Sequence, residues 1–275
     1  MELKQQNWNN FIANHLSNWH GIWTRYSPQG EITESFQSLR GFCANPEQNE
    51  ITQTNRYQYA DGKILEKTWK FDQQSNNLSD GLFHPDNELM RGIFFSSGPA
   101  AWITTQLALD SYLAVELFFK QEKLRHSVGI IYDKQGNLFR TANIREDATG
   151  FPSQYWSTQL EQLPQRSDSG NWQGTSVTMT RDLNISDPIP TGGPNEFRTE
   201  LHWGWKDHQV FFLPDGVSIS CPDKISLGKS FVIAASWLVT SSQKQQLIVE
   251  YDESGAFCSL TLELLESVFE KLSNK

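Results

Sequence analysis

Two segments of this chain read as the same hairpin. "LRHSVGIIYDKQGNLFRTANI" spans residues 124–144, and "QKQQLIVEYDESGAFCSLTLE" spans residues 243–263. Each places Y-D-x-x-G between two apolar runs, and Tyr132 and Tyr251 lie 251 − 132 = 119 residues apart. Glycine takes a positive φ at little cost, so Gly136 and Gly255 mark bulged turns between antiparallel strands. Further matches come in the same order in both halves. "NWHG" around Trp19 recurs as "NWQG" around Trp172, "FHPD" at Pro85–Asp86 as "FLPD" at Pro214–Asp215, and "VELFFKQEKLR" aligns with "AASWLVTSSQK", setting Phe118 against Trp237. Any one match is weak, but their collinearity implies an internal duplication. The units are residues 1–150 and 151–275, each within the usual size of a domain.

The rest of the chain also reads as strands and turns. In "EITQTNRYQYADGKILEKTWKF", Asp61-Gly62 supplies a turn. A two-residue turn would oppose Arg56 and Lys67. A type I turn with a glycine bulge opposes Arg56 to Glu66 and Thr54 to Thr68, which is the preferred register. It puts Ile51, Gln53, Asn55 and Tyr57 on one face with Leu65, Lys67, Trp69 and Phe71. That face mixes aromatic and polar groups. Unpaired polar groups in a dry core cost about 1–3 kcal/mol each, so it suits either a ligand-filled cavity or strand ends that project into solvent.

Helical patterns are few. "QQNWNNFIANHLSN" puts Trp8, Phe11, Ile12 and His15 on one face, "PSQYWSTQLEQL" repeats the pattern with Tyr155, Trp156, Leu160 and Leu163, and "ELLESVFEKLSNK" is a third candidate. No long crossover helices separate the strands, so antiparallel sheets are expected. The expected fold is all-β: two tandem antiparallel up-and-down β-barrels with short capping helices. Trp19 and Trp172 are expected to plug the barrel ends, with Gly21 and Gly174 allowing close backbone approach.

Charge and composition narrow the function. A net charge of −9 disfavours nucleic-acid binding. No apolar run approaches the roughly 20 residues of a membrane helix, so no membrane insertion is expected. The amino-terminal residues lack the character of a secretory or transit segment, and three scattered cysteines form neither a disulfide framework nor a zinc pattern, so a cytoplasmic location with reduced thiols is expected. The six histidines show no ligand spacing, and no metal site is expected. No G-x-S-x-G, H-E-x-x-H or G-x-x-x-x-G-K-[ST] occurs, and no catalytic residue is assigned. Glu116 and Glu200 lie in strand-like runs and are expected to pair with arginines.

Binding candidates are the inward residues. In the first half these are Gln53, Asn55, Tyr57, Lys67, Trp69 and Phe71, with Arg91 and Trp102 near the mouth. In the second half, Phe197, Thr199, Leu201, Trp203 and Trp205 form the more apolar wall, extended by Trp237. Arg181–Glu196 is either a lid or a surface loop.

With "NWHGIW" and "NWQGT" opening strands, the chain resembles the calycin, or lipocalin-like, superfamily. That resemblance implies an arginine late in the barrel packed on the opening tryptophan, with Arg145 and Arg140 as candidates in the first half. Through "WNNFIANHLSNWHGIWTRYSPQGE", "LPDG" and "EYDESGAF", the whole chain resembles a family of cyanobacteria and plastids with two lipocalin-like domains. "WTRY" at Trp23–Tyr26 is similar to the first strand of the phycobiliprotein lyases, single barrels that deliver a bilin to a cysteine. The expected function is non-catalytic binding of a hydrophobic or amphipathic small molecule, a pigment or its precursor, including tetrapyrroles, being one such ligand. The alternatives are a bilin lyase or chaperone and an interaction scaffold with filled barrels.

Overall fold

The computed structural model describes residues 2–165, 171–192 and 207–268. One helix, α1 (Leu3–His15), precedes the strands β1 (Asn18–Tyr26), β2 (Ile32–Ala44), β3 (Glu50–Tyr59), β4 (Ile64–Asp72), β5 (Asn77–Leu78), β6 (Gly81–His84), β7 (Asn87–Phe94), β8 (Ala100–Thr104), β9 (Leu113–Gln121), β10 (Leu124–Tyr132) and β11 (Leu138–Asp147). The second half contributes β12 (Trp172–Thr180), β13 (Ile189–Gly192), β14 (His208–Phe212), β15 (Val217–Pro222), β16 (Phe231–Thr240), β17 (Gln243–Tyr251) and β18 (Phe257–Ser267).

Among the described residues, the first half forms an 11-stranded antiparallel sheet in the order β4-β3-β2-β1-β11-β10-β9-β8-β7-β6-β5 that nearly closes into a barrel. Side chains bridge the seam beside β4. Trp69 and Phe71 meet His84 at ring separations of 5.6 and 5.9 Å. Lys67 Nζ lies 3.6 Å from Asp86. The β3–β4 hairpin has the register its turn chemistry predicts, with Arg56 opposite Glu66, Thr54 opposite Thr68, and Tyr59 N donating to the Lys63 carbonyl. The second half forms a seven-stranded antiparallel sheet in the order β13-β12-β18-β17-β16-β15-β14.

Helix α1 lies against one end of the barrel because its asparagines reach the β7 backbone. Asn7 Nδ2 donates to the Gly92 carbonyl and Asn10 Nδ2 to the Phe94 carbonyl, while Phe94 N donates to Asn7 Oδ1. Between them, Trp8 and Phe11 are buried with Ile51, Phe71, Phe94 and Phe118. The helix expected at Pro152–Leu163 does not form; that segment is an irregular connection in which Tyr155 is exposed. The candidate carboxy-terminal helix is also displaced, since β18 runs through Ser267. Residues beyond 268 lie outside the described set.

The halves meet through their outer faces. Strand alternation sends Val115, Leu117, Phe119, Val128, Ile130 and Tyr132 away from the barrel interior. They join Ile219, Ile233, Ala235, Trp237, Leu247 and Val249 in one core that spans both halves. The backbone repeats the relationship. Ile225 N donates to the Gly136 carbonyl and Leu107 N to the Gly255 carbonyl, so each Y-D-x-x-G turn accepts from the opposite half.

Ladder registers refine two of the sequence matches. Leu113 pairs with Tyr132 as Phe231 pairs with Tyr251, which makes Phe119, not Phe118, the counterpart of Trp237. A one-residue slip exchanges the faces of a strand. Pro85–Asp86 sits between β6 and β7, whereas Pro214–Asp215 sits between β14 and β15; the latter corresponds to the β7–β8 turn.

Candidate functional site

Strand alternation turns Trp23, Arg40, Gln53, Asn55, Tyr57, Trp69, Trp102, Glu116 and Phe118 into the first barrel. Together with Phe11 and His15 of α1 they line a cavity of about 160 Å³. The polar residues on its β3 side satisfy one another. Gln53 Nε2 donates to Asn55 Oδ1 at 3.0 Å, and Asn55 Nδ2 donates to the Tyr57 hydroxyl at 2.8 Å. Aromatic edges complete the wall. The Trp23 and Tyr57 rings are 5.9 Å apart and those of His84 and Trp102 5.1 Å. Burial, only partly offset by Asp86, lowers the His84 pKa, which keeps the imidazole neutral near neutral pH.

The structure therefore brings Gln53, Asn55, Tyr57, Trp69 and Trp102 together, but not the other candidates. Phe71 is fully buried behind this wall, against Phe11 and Trp102. Lys67 is half-exposed near the seam, 5.9 Å from the Trp69 ring. Arg91 is outside the cavity, bonded to Asp80 at 2.9 Å. Trp237 lies on the face opposite to that expected: its Nε1 donates to the Asp215 carbonyl, and its ring meets His126, Trp156 and Phe119 between the halves. The reason is the register correction above. Trp203 and Trp205 lie outside the described residues, as do Phe197, Thr199, Leu201 and Glu200.

Beneath the cavity is a buried ionic group. Arg40 Nε and Nη2 donate to Glu146 Oε1 and Oε2 at 2.5 and 2.7 Å, and Arg125 Nε donates to Glu146 Oε2 at 2.6 Å. Arg40 Nη1 also donates to Glu116 Oε1, which accepts from Ser127 Oγ as well. Burial alone would raise the Glu146 pKa, but Arg125 and Arg40 outweigh it and hold the carboxyl below its usual range. Burial also opposes the Arg40 charge, and Glu146 and Glu116 more than offset it. His15 is held well below its ordinary pKa by burial and by Arg125, while its Nε2 hydrogen-bonds the Gly98 carbonyl. These groups hold each other in place, so the site presents oriented donors and acceptors.

Arg125 also takes the place expected of Arg145. Its guanidinium lies 4.5 Å from the Trp19 ring, and Trp19 Nε1 donates to the His15 carbonyl. Arg145 instead faces the other side of β11, where Nη1 donates to Asp215 Oδ2 at 2.6 Å. Arg140 lies over the neighbouring Phe139 ring. Gly21 is required at the plug: a Cβ there would approach Glu146 Cγ and Ser38 Oγ to 2.9 Å. The second half repeats the pair, with Lys244 Nζ 4.6 Å from the Trp172 ring. Lys244 is 119 residues from Arg125, the offset of the two tyrosines. The inner face around it is polar; Ser218 and Ser236 share a hydrogen bond, and Thr191 Oγ1 donates to Glu263.

A second compartment of about 170 Å³ adjoins the first along Trp23, Met90 and Glu116, at the barrel end away from α1. Its wall is mainly apolar, with Ile131, Ala142 and Ile144 among the contributors. Among the described residues, no group of three or more His, Cys, Asp and Glu side chains could hold a metal ion, and no helix is long and apolar enough to cross a membrane.

Comparison with known proteins places this architecture. Residues 4–151 match the amino-terminal domain of DUF3598, described as a domain of unknown function. Residues 195–267 match the carboxy-terminal domain of biogenesis factor required for ATP synthase 1. Among solved structures, a DUF3598-family protein of unknown function from Nostoc punctiforme is similar at 21% identity and a TM-score of 0.69, over 95% of this chain and 99% of that one. An S-type phycobiliprotein lyase, CPES from Guillardia theta, aligns at 12% identity and a TM-score of 0.36, over 53% of this chain and 94% of that one. No curated protein matches the chain in sequence.

Proposed function

The chain belongs to the DUF3598 family, and on that footing we propose that it binds a hydrophobic or amphipathic small molecule, without chemistry of its own, inside the first barrel. The observation that carries this reading is the cavity in which Trp23, Tyr57, Trp69 and Trp102 surround the Gln53–Asn55–Tyr57 relay. A concave wall that combines aromatic rings with oriented polar groups suits a small-molecule site. The polar floor is already satisfied, so a ligand would gain affinity mainly from ring contact and desolvation. Repetition of the Trp19–Arg125 pair as Trp172–Lys244 supports reading the second sheet as a barrel of the same kind.

Titration of tryptophan emission with bilins, haem, carotenoids and fatty acids tests the proposal. At least one class should bind with micromolar affinity or better, about 8 kcal/mol. Trp69→Ala should weaken that binding at least tenfold, and Trp156→Ala, whose ring packs on Trp237 between the halves, should not. Failure of every class would overturn the reading.

The match of residues 195–267 to a biogenesis-factor domain favours a second reading, in which the second half holds a protein during assembly. Native mass spectrometry of protein purified from its own host separates the two, through a retained small molecule or a retained subunit. Covalent transfer of a bound bilin to an acceptor protein would replace simple binding with a lyase function.

A further inference from the structure

The lower compartment of the first barrel contains a guanidinium that makes no hydrogen bond or ion pair among the described residues. Arg25 and Arg140 both line it. Arg25 is closed off by Glu34, with Nη1 to Oε2 at 2.5 Å. Arg140 is only partly exposed, yet its guanidinium makes no hydrogen bond or ion pair among the described residues; its near neighbour is the Phe139 ring, 5.7 Å away. Burial and the adjacent Arg25 disfavour its charge, and Glu34 and Tyr112 offset this only in part. A guanidinium remains protonated at any physiological pH, so the cost of this arrangement is removed by an anion, not by loss of the proton. Glu116 also borders the compartment, but it already accepts from Arg40 and Ser127 on the far side.

We propose that this compartment takes the end of an amphiphile bearing a carboxylate, with Arg140 as the seat of the anion. This deepens, and rests on, the small-molecule reading above. The apolar body would lie along Ile131 and Ile144, and Met90 and Trp23 mark where it would pass toward the aromatic cavity. Methionine is unbranched and adapts its shape readily, which suits a boundary between two compartments. The overall charge of −9 repels anions in general. A preference for a carboxylate must therefore come from a local group.

The test compares octanoate with 1-octanol, an uncharged ligand of the same chain length, using tryptophan emission because Trp23 borders both compartments. A charge-assisted hydrogen bond gives octanoate an advantage of about tenfold or more. Arg140→Gln should remove that advantage while leaving octanol affinity unchanged, and Arg56→Gln on the exposed outer face should behave as wild type. The melting temperature of Arg140→Gln should not fall, because no intramolecular ion pair is lost. Equal binding of the two ligands to wild type, or an advantage that survives Arg140→Gln, would overturn the anion seat while leaving small-molecule binding intact. Binding of large aromatic ligands with neither octyl compound binding would also overturn it. Failure of every ligand would overturn both readings.

Discussion

The hydroxyls of Tyr132 and Tyr251 reach across the molecule in opposite directions. Tyr132 donates to the Pro222 carbonyl in the second half at 2.9 Å, and Tyr251 donates to the Thr104 carbonyl in the first half at 2.8 Å. Leu138 N with the Asp223 carbonyl and Phe257 N with the Thr105 carbonyl repeat the exchange. Residue i of one half contacts j′ of the other, and i′ contacts j, which is the pattern of an isologous dimer interface. Here it lies within one chain.

Loss of either hydroxyl should therefore be felt globally. Tyr132→Phe and Tyr251→Phe each leave a buried carbonyl without its donor, at a cost of about 1–3 kcal/mol. Since the core spans both halves, urea melts of each variant should remain a single transition with a lowered midpoint. A separate early transition confined to one half would show that the halves are not coupled.

A fragment of residues 1–150 should retain the barrel strands and self-associate. It would expose Leu117, Phe119, Val128 and Ile130, all buried in the full chain. An exposed contiguous apolar face of this kind is an association surface. Sedimentation should report dimers or larger species, and a monodisperse monomer at micromolar concentration would contradict the expectation.

Acid should weaken the fold as pH falls from about 6.5 toward 4. His126 is buried between the halves with its ring 5.1 Å from Trp156, and burial pushes its pKa from 6.5 down to about 4. The folded form thus stays neutral between about pH 6.5 and 4 while the unfolded chain takes up a proton. Stability is therefore retained above about pH 6.5 and declines as pH falls toward 4, by roughly 3 kcal/mol from this residue. His208, also lowered to about 4 by burial, adds in the same direction. His126→Gln should flatten the pH dependence of the melting temperature across this window.

The β3–β4 register was legible because turn chemistry and cross-strand charge both select it, and alternation then placed Gln53, Asn55, Tyr57 and Trp69 on one face. Trp237 was misplaced by one position because two apolar runs, "ELFF" and "ASWL", align almost equally well one residue apart. The Pro152–Leu163 segment has helical periodicity, but tertiary contacts claim it: Arg145 Nη1 donates to the Ser157 carbonyl, and the Tyr26 hydroxyl to that of Leu160. The ionic group was invisible because Arg40 and Glu146 are 106 residues apart, and the strand pairing that joins them follows from barrel closure. One clue was present, the coincidence of Arg125 and Lys244 at the 119-residue offset.

Glu146 is the group on which the barrel floor depends most, and it allows a test that separates framework from wall. It is fully buried and accepts from two guanidinium groups. In Glu146→Gln, Arg40 keeps Glu116 but Arg125 is left buried among Trp19, Phe42 and Phe118 with no carboxylate partner. Removing one member of a buried ion pair costs about 3–5 kcal/mol, chiefly through the uncompensated charge. Adding Arg125→Met should therefore recover part of the loss, so the double variant should be more stable than the sum of the single variants by 1 kcal/mol or more. The pH dependence follows from the lowered pKa of Glu146. Its contribution is complete above the ordinary carboxylate range and is lost as pH falls through the folded value, so wild type and Glu146→Gln should converge in acid. Trp69→Ala, on a partly exposed ring of the cavity wall, should change ligand affinity much more than stability. Denaturant melts of the four variants at pH 7, repeated in acid, should show this division; additive Glu146 and Arg125 effects would mean that the two side chains act independently.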